Sequence, residues 1–291
     1  MSDLYQEVTD RIVAAIEAGT TPPWVKPWSV SDFRPRNATT NRPYRGINSV
    51  LLGLEADARG YADPRWLTFR QAIEIGARIR GGERGTTVVF YKLTKLPEQS
   101  ADRTEIQYRT VPLLRSFTVF NVAQVDGLPE SMVKPPEPVA WDSHAEAEAL
   151  LYASGAEMHH GGDSAYYQRA KDQIHLPPKS SFSDSGAYYT TALHELMHWT
   201  GAPIRCNREL KGRFGDNAYA VEELVAELGS AFLCAHCRID GRLQHAAYLH
   251  AWLKVLKADK RAIFTASAKA QAGADFVLRT QQPVEADAEA A

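Results

Sequence analysis

The segment His194–His198, with the sequence HELMH, constrains the fold of this chain more than any other segment. Residues 188–199 contain no proline or glycine, and Gly201 and Pro203 follow, so we predict one helix that ends near Gly201. Positions i and i+4 of a helix share a face, so both imidazoles can bind one divalent ion. Glu195 would then point at a water on that ion and accept its proton. The alternative is a helix that carries two histidines by chance.

The third ligand of this metal site must come from elsewhere in the chain, because a zinc site that keeps one position open has three protein ligands. In metzincins a histidine stands six residues after the second histidine of the motif, where this chain has Ile204, so that class is excluded. Gluzincins instead use a glutamate from a following helix. Residues 219–234 predict such a helix, since apolar side chains recur along one side of it.

Three glutamates on that helix are candidates for the third ligand. Glu223 and Glu227 are four residues apart and share one face. This spacing suits one metal ligand and one carboxylate that orients a ligand histidine through its other ring nitrogen. We therefore predict Glu223 as the ligand and Glu227 as the outer carboxylate. Glu222 is the alternative ligand, and without that role it would be a solvated helix position. The predicted ion is zinc, although two histidines and a glutamate also accept another divalent metal such as manganese.

Composition indicates one or two domains without a membrane span. The 291 residues are 44% hydrophobic and 23% charged, as in ordinary globular proteins, and no run approaches the ~18 apolar residues of a membrane helix. The acidic, amphipathic residues 1–19 lack the features of a signal peptide. Three cysteines are too few for a disulfide framework, and we expect Cys234 and Cys237 to pack rather than to bind metal. These features predict a cytoplasmic protein with no membrane partner.

Charge and proline content divide the chain into parts. Residues 1–125 hold 17 Lys and Arg against 13 Asp and Glu, whereas the remainder holds 16 against 22. Between the two, residues 126–141 are rich in proline and are predicted to form a linker. Residues 142–280 would form the second domain, and the small, acidic residues 281–291 a disordered tail.

The first domain is predicted to be α+β with a small antiparallel sheet. Residues 86–92 and 109–122 alternate like two paired strands. Thr68 begins a capping box at the start of one helix, and Asn48 or Ser49 is expected to cap another.

The second domain is predicted to place helices beside a few strands. A helix is expected over residues 143–154, followed by strand-like segments at 156–159 and 165–176, the two metal helices and a helix over 243–268. Residues 166–175 are the candidate edge strand, which could pair with an extended peptide.

Cations and aromatic rings alternate in the first domain, in residues 24–45 and near the Gly-rich turn 81–85. Lysine and arginine can follow phosphates while aromatic rings stack on bases, so this pattern is typical of single-stranded nucleic-acid binding. The alternative is that the tryptophans form core and the arginines a solvated rim, because the excess of positive charge is small. The candidate DNA-binding residues are Trp24, Lys26, Trp28, Arg34, Arg36, Arg42, Tyr44, Arg45, Arg80, Arg84 and Lys92.

Motifs in both domains resemble one family. WVKPW at 24–28, NRPYRGIN at 41–48 and GGERG at 81–85 resemble the N-terminal domain of ArdC-type antirestriction proteins. Residues 194–201 and 222–227 resemble the zincin-like (gluzincin) metallopeptidase domain that is fused to it. The resemblance covers the chain except for the linker and the tail.

The resemblance implies a protein of conjugative plasmids that protects incoming DNA from host restriction. Its first domain would bind single-stranded DNA, and its second domain would hold a metal in a gluzincin-like site. Related N-terminal domains also occur in plasmid primases, but we see no Asp/Glu cluster here that would hold two magnesium ions for polymerisation.

Three functions fit these predictions. The first is a DNA-binding antirestriction protein whose metal site is structural or conditionally proteolytic. The second is a cytoplasmic metallopeptidase that acts on a restriction enzyme or another protein, and the third is a DNA-binding protein with an inactive zincin scaffold. Catalysis would also need a group that stabilises the oxyanion. The candidates for that role, each also expected as a structural residue, are Tyr188, Tyr189, His159 and His175.

Overall fold

The structure, a computed structural model, describes residues 3–18, 35–99, 106–133, 143–182, 184–208, 217–239 and 249–280. The chain forms two compact units. One comprises residues 35–136, here called the N-terminal unit, and the other comprises residues 1–34 and 137–291, here called the C-terminal unit.

Helix α1, Leu4–Ala18, belongs to the C-terminal unit, whereas the sequence had predicted it in a first domain of residues 1–125. Its apolar side is buried, and the ring of Tyr5 packs edge-on against Phe264 at 5.0 Å. The Thr9 hydroxyl also donates a hydrogen bond to the carbonyl of Lys260 at 2.8 Å. The helix belongs to the C-terminal unit because its apolar side packs against residues of that unit.

The N-terminal unit contains a four-stranded sheet with the order β1-β2-β5-β4 and a separate pair, β3-β6. The expected antiparallel pair is confirmed as β4-β5, and β1 adds a parallel edge to β2. The strands are β1 Arg36–Asn37, β2 Arg65–Thr68, β3 Arg78–Ile79, β4 Thr86–Gln99, β5 Ile106–Asn121 and β6 Val125–Asp126. The helices are α2 Ile47–Arg59, α3 Phe69–Glu74 and α4 Glu130–Val133.

The predicted linker is partly built into this unit. Residues 126–133 include the end of β6 and helix α4, and the Arg65 guanidinium donates to the Met132 carbonyl at 2.8 Å. Residues 134–141 and the predicted tail, 281–291, lie outside the described residues.

Two helix starts in this unit were predicted from the sequence, and one prediction was wrong. Thr68 and Gln71 form the expected capping box at the start of α3. Helix α2 instead begins after Gly46, whose positive φ of 57° favours glycine, with no side-chain cap. Asn48 does not cap the helix, because its side chain bonds the backbone of Val89 on the edge strand β4. Its amide donates to the Val89 carbonyl at 2.7 Å, and its oxygen accepts from the Val89 N–H at 2.8 Å.

The C-terminal unit packs its helices around a small three-stranded sheet, in which β9 lies between β7 and β8. Strand β9 is parallel to β7 and antiparallel to β8. The strands are β7 Glu157–His160, β8 Tyr166–Gln168 and β9 Gln173–Leu176. The helices beyond α1 are α5 Ser143–Ala153, α6 Ser185–Thr200, α7 Asn217–Cys237, α8 Leu249–Ala258 and α9 Ala262–Thr280.

Two sequence predictions for this unit were wrong in detail. Segment 165–176 is two strands joined by a turn, and Asp172 in that turn has a positive φ of 57°. The helix expected over 243–268 is interrupted, because the Asp259 side chain accepts from the Arg261 N–H at 2.8 Å and starts a new helix.

Helices α6, α7 and α9 meet around the side chain of Met197, which is fully buried. A Cβ atom on Gly229 of α7 would lie 2.2 Å from the Met197 Cε, and one on Gly273 of α9 would lie 2.5 Å from it. A larger residue at either position would therefore force the Met197 side chain to move. The close approach of α7 to α6 brings the glutamates of α7 to the histidines of α6.

Among the described residues, no helix is both long enough and apolar enough to cross a membrane.

The Asn48 bridge predicts a stability effect in the N-terminal unit. We expect Asn48→Ala to lower the free energy of unfolding by about 1–3 kcal/mol, because a half-buried backbone N–H and C=O both lose their partner. Asn48→Asp keeps an acceptor for the Val89 N–H and should cost less. Urea denaturation of both variants measures the difference, and an unchanged midpoint for Asn48→Ala would show that the bridge contributes nothing.

Candidate metal centre

Helix α6 carries both histidines of the predicted motif. The Asp184 side chain caps it by accepting from the Ala187 N–H at 2.9 Å, and the helix ends at Gly201 as predicted. His194 and His198 lie one turn apart, and their Nε2 atoms are 3.1 Å from each other. Both imidazoles therefore point to one place.

Glu223 of α7 completes the predicted set of ligands. Its Oε2 lies 3.6 Å from His194 Nε2, and its Oε1 lies 3.5 Å from His198 Nε2. One ligand atom from each of the three residues falls within 4.8 Å of the others, and Glu223 is only 3% exposed. Two imidazoles and a carboxylate at this spacing fit a divalent metal ion.

Each ligand histidine has a second carboxylate at its other ring nitrogen. Glu227 Oε2 lies 3.9 Å from His194 Nδ1, and Glu222 Oε1 lies 3.3 Å from His198 Nδ1. Such outer carboxylates fix the orientation of a ligand imidazole and raise its basicity. The sequence predicted this position for Glu227. It did not predict it for Glu222, which is 5% exposed and is therefore not a solvated helix position.

Glu222 is held in turn by Arg208, a residue that the sequence analysis missed. The guanidinium donates to both oxygens of Glu222, from Nε at 3.0 Å and from Nη2 at 2.8 Å. It also donates to the Thr200 hydroxyl at 2.8 Å and to the Met197 carbonyl at 2.5 Å. Arg208 lies in a loop without periodicity, so no sequence pattern marks it. Its buried guanidinium is compensated by the Glu222 carboxylate and by the oxygens of Thr200 and Met197.

Burial and hydrogen bonding shift the pKa values of the residues in this centre in opposite directions. Burial lowers the pKa of His194. Burial also acts to lower the pKa of His198, but hydrogen bonds with Glu222 and Glu223 outweigh it and raise that pKa to about 10. For Glu223, burial acts to raise the pKa, and the hydrogen bonds with His194 and His198 more than offset it, so its pKa lies well below the usual range. Glu223 is thus ionised and attracts a cation.

A cleft of about 150 Å³ opens beside the two histidines. Glu195 lines it together with Glu223, Tyr219 of α7 and the strand residues Tyr166 and Tyr167. Arg169, which is exposed, lies at the same cleft. Tyr219 and Arg169 were not singled out from the sequence, because neither belongs to a motif.

The four predicted oxyanion candidates do not line this cleft. The Tyr188 hydroxyl is 2.9 Å from His160 Nε2, and the Tyr189 hydroxyl donates to Glu148 at 3.0 Å. His159 Nε2 is 2.7 Å from Glu157, and His175 Nε2 is 3.1 Å from Gln168. Their polar atoms serve structural contacts, and Tyr219 takes their place as the candidate.

The structure describes only part of the predicted DNA-binding set. Trp24, Lys26, Trp28 and Arg34 lie outside the described residues, and so does the side chain of Lys92. Arg42, Arg45 and Arg84 are exposed, whereas Arg36 is half-buried.

Arg80 and Tyr44 have structural contacts that the sequence did not predict. Arg80 donates to Glu83 at 2.9 Å and to the Ala123 carbonyl at 2.5 Å, which holds the Gly-rich turn. Tyr44 is half-buried and packs against the core of the N-terminal unit around Trp66. Burial raises the pKa of the Tyr44 hydroxyl.

Comparison with known proteins identifies both halves of the chain. Residues 2–120 match the family described as the N-terminal domain of anti-restriction factor ArdC. Residues 145–269 match the family described as zincin-like metallopeptidase.

Curated relatives extend over almost the whole chain. An uncharacterized protein, y4eC, of Sinorhizobium fredii is 41% identical over 96% of this chain and 93% of its own length. Two proteins of Escherichia coli named DNA primase TraC are 41% and 37% identical over 96% of this chain. The chain spans only 27% and 20% of the length of these two primases.

Two solved structures share the fold. The metal-free crystal structure of the antirestriction ArdC protein from plasmid R388 is 41% identical, with a TM-score of 0.79 over 96% of this chain and 98% of that chain. The Mn(II)-bound structure of the same protein is 40% identical, with a TM-score of 0.79 over 98% of this chain and 100% of that chain. Since identity of this level extends over at least 96% of both chains, this protein belongs to the ArdC family of antirestriction proteins.

Proposed function

We propose that this protein protects incoming plasmid DNA from host restriction during conjugation. It acts in the cytoplasm and uses two sites, one in each unit. The N-terminal unit binds single-stranded DNA, and the C-terminal unit holds a divalent metal in a peptidase-like site. The observation that supports this proposal most strongly is the complete metal centre of His194, His198 and Glu223 in a member of the ArdC family.

The metal centre is proposed to use three ligands and two orienting carboxylates. His194, His198 and Glu223 would hold the ion, whereas Glu227 and Glu222 keep the two imidazoles in position through Nδ1. The ion, zinc or manganese, would polarise a carbonyl group and a water.

Glu195 is proposed as the general base and acid of this site. It lies on the same helix as the two histidines and lines the cleft that they border. A carboxylate there can accept a proton from water and later donate it to a leaving amine. Tyr219 is at the same cleft and could donate its hydroxyl proton to an oxyanion. The second candidate function, a metallopeptidase that cuts a restriction enzyme or another protein, is favoured by this arrangement of Glu195 and Tyr219.

The DNA-binding part of the proposal rests on charge. Residues 35–136 hold 15 Lys and Arg against 10 Asp and Glu, and Arg42, Arg45 and Arg84 are exposed. Cations of this kind bind phosphates and give an affinity that decreases with salt.

The carboxylates beside the two histidines are expected to affect the affinity for metal. We expect Glu223→Ala to abolish tight binding of Mn(II) or Zn(II), because it removes a ligand. Glu222→Ala should lower the affinity by about 10–100-fold, since His198 loses the carboxylate that orients it. Glu195→Ala is the matched control on the same site and should bind metal as the wild type does. Competition with a chromophoric chelator measures the three affinities.

A double variant distinguishes the effect of Glu222 on metal affinity from its effect on the stability of the fold. Glu222→Ala also leaves Arg208 buried without its carboxylate, which should destabilise the fold by about 3–5 kcal/mol. Glu222→Leu combined with Arg208→Met removes both charges and should recover much of that stability while the metal affinity stays low. Recovery of metal affinity in the double variant would contradict the proposed role of Glu222.

Protection of DNA tests the proposed function as a whole. Cells that express the wild type should accept incoming unmodified plasmid DNA more efficiently than cells without it, in a host that restricts such DNA. We expect Glu195→Ala to lose most of this protection while it still folds and binds metal, because the metal centre then lacks its base. Full protection by Glu195→Ala would show that proteolysis is dispensable and that the protein acts by binding DNA.

A further inference from the structure

The paired strands β4 and β5 carry two exposed aromatic side chains that do not pack into the core. Val88 and Val119 on one face of these strands are buried in a cluster with Leu52 of helix α2. Phe90 and Phe117 lie on the same face, because Phe117 pairs with Val88 and side chains alternate along a strand. Their exposed fractions are 46% and 51%.

A cation accompanies the two rings. Arg115 is the cross-strand partner of Phe90 and lies two positions before Phe117, so all three side chains share one face. Phe90 and Phe117 are diagonal neighbours in this register, a relation with a spacing of roughly 7–8 Å. We name Phe90, Arg115 and Phe117 the hairpin patch.

We propose that the hairpin patch is a stacking site for two unpaired bases of single-stranded DNA, with Arg115 on the phosphate between them. The proposal rests on the proposed DNA binding of the N-terminal unit and names a contact site within it. Exposed rings stack on bases of any sequence, and an arginine beside them binds the backbone. Bases in a duplex are stacked on each other and do not offer their faces to such rings.

Arg115 supplies the positive charge of the hairpin patch, and it is exposed. In the part of this unit that the structure describes, five carboxylates lie within 4.0 Å of an arginine other than Arg115. These pairs are Glu55 with Arg59, Asp63 with Arg65, Glu74 with Arg70, Glu83 with Arg80, and Asp126 with Arg78 and Arg80.

The start of helix α2 lies next to the strand that carries Phe90. The Asn48 side chain bonds the backbone of Val89, the neighbour of Phe90, and the exposed Arg45 precedes Asn48 by three residues.

Helix α3 supplies a matched control in the same unit. Phe69 is 58% exposed, which is slightly more than either ring of the hairpin patch. Its neighbour Arg70 is paired with Glu74 at 2.8 Å, so the surroundings of this ring carry no net positive charge from that pair. A phenylalanine that is merely exposed should therefore not contribute to DNA binding.

The test compares Phe90→Ala, Phe117→Ala and their double variant with Phe69→Ala in the full chain. A fluorescein-labelled oligothymidylate of about 20 nucleotides is titrated by anisotropy at low salt. Since stacking contributes about 1–3 kcal/mol per base, we expect each single variant of the patch to weaken binding by roughly 5–150-fold and Phe69→Ala by less than about twofold. Equal binding by the patch variants and the wild type, or an equal loss in Phe69→Ala, would overturn the proposal.

An oligonucleotide with abasic sites shows whether the contact is stacking. The wild type should bind it more weakly than the intact oligonucleotide, whereas the double variant should bind the two alike. A wild type that does not distinguish them would overturn base stacking at the hairpin patch. A wild type that binds no single-stranded DNA would overturn the proposed DNA binding as well.

Sedimentation of the same variants distinguishes DNA from a second copy of the chain as the occupant. The proposal predicts that wild type and double variant have the same mass in solution. A dimer that becomes a monomer on loss of Phe90 and Phe117 would show that the patch is an interface between copies, which contradicts the proposal.

Discussion

The neutralisation of buried carboxylates governs the arrangement of the C-terminal unit. Glu195, Glu222, Glu223 and Glu227 are each at most 5% exposed, and all lie on two adjoining helices. A buried charge without a partner costs several kcal/mol, so these helices can pack only if cations come with them. Imidazoles, a guanidinium and a metal ion meet that need, and the same groups constitute the metal site.

This requirement connects the fold to its chemistry. Gly229 at the contact of α6 with α7 lets the two helices approach, and Met197 fills the space between them. The approach places the carboxylates at both nitrogens of each ligand imidazole. A site built in this way is oriented before any ion arrives, which favours tight and specific binding of a divalent metal.

The sequence predicted those parts of the site that follow from local periodicity. His194, His198, Glu223 and Glu227 obey the four-residue spacing of a helix, so their alignment could be predicted. Arg208 could not, because a loop residue is brought to its carboxylate only by tertiary packing.

In the N-terminal unit, too, local patterns could be predicted from the sequence and contacts between distant segments could not. The capping box at Thr68 and the strand pair β4-β5 are local patterns and were predicted correctly. The polar bridge from Asn48 to Val89 and the hydrogen bond from Arg80 to the Ala123 carbonyl join distant segments, so no local pattern predicted them.

Anomalous diffraction from crystals of the protein with Mn(II) tests the central claim most directly. We predict one strong peak bound by His194 Nε2, His198 Nε2 and a carboxylate oxygen of Glu223, with Glu227 and Glu222 still at the two Nδ1 atoms. A peak at other residues, or an ion that draws Glu222 away from Arg208 to become a ligand, would contradict the account.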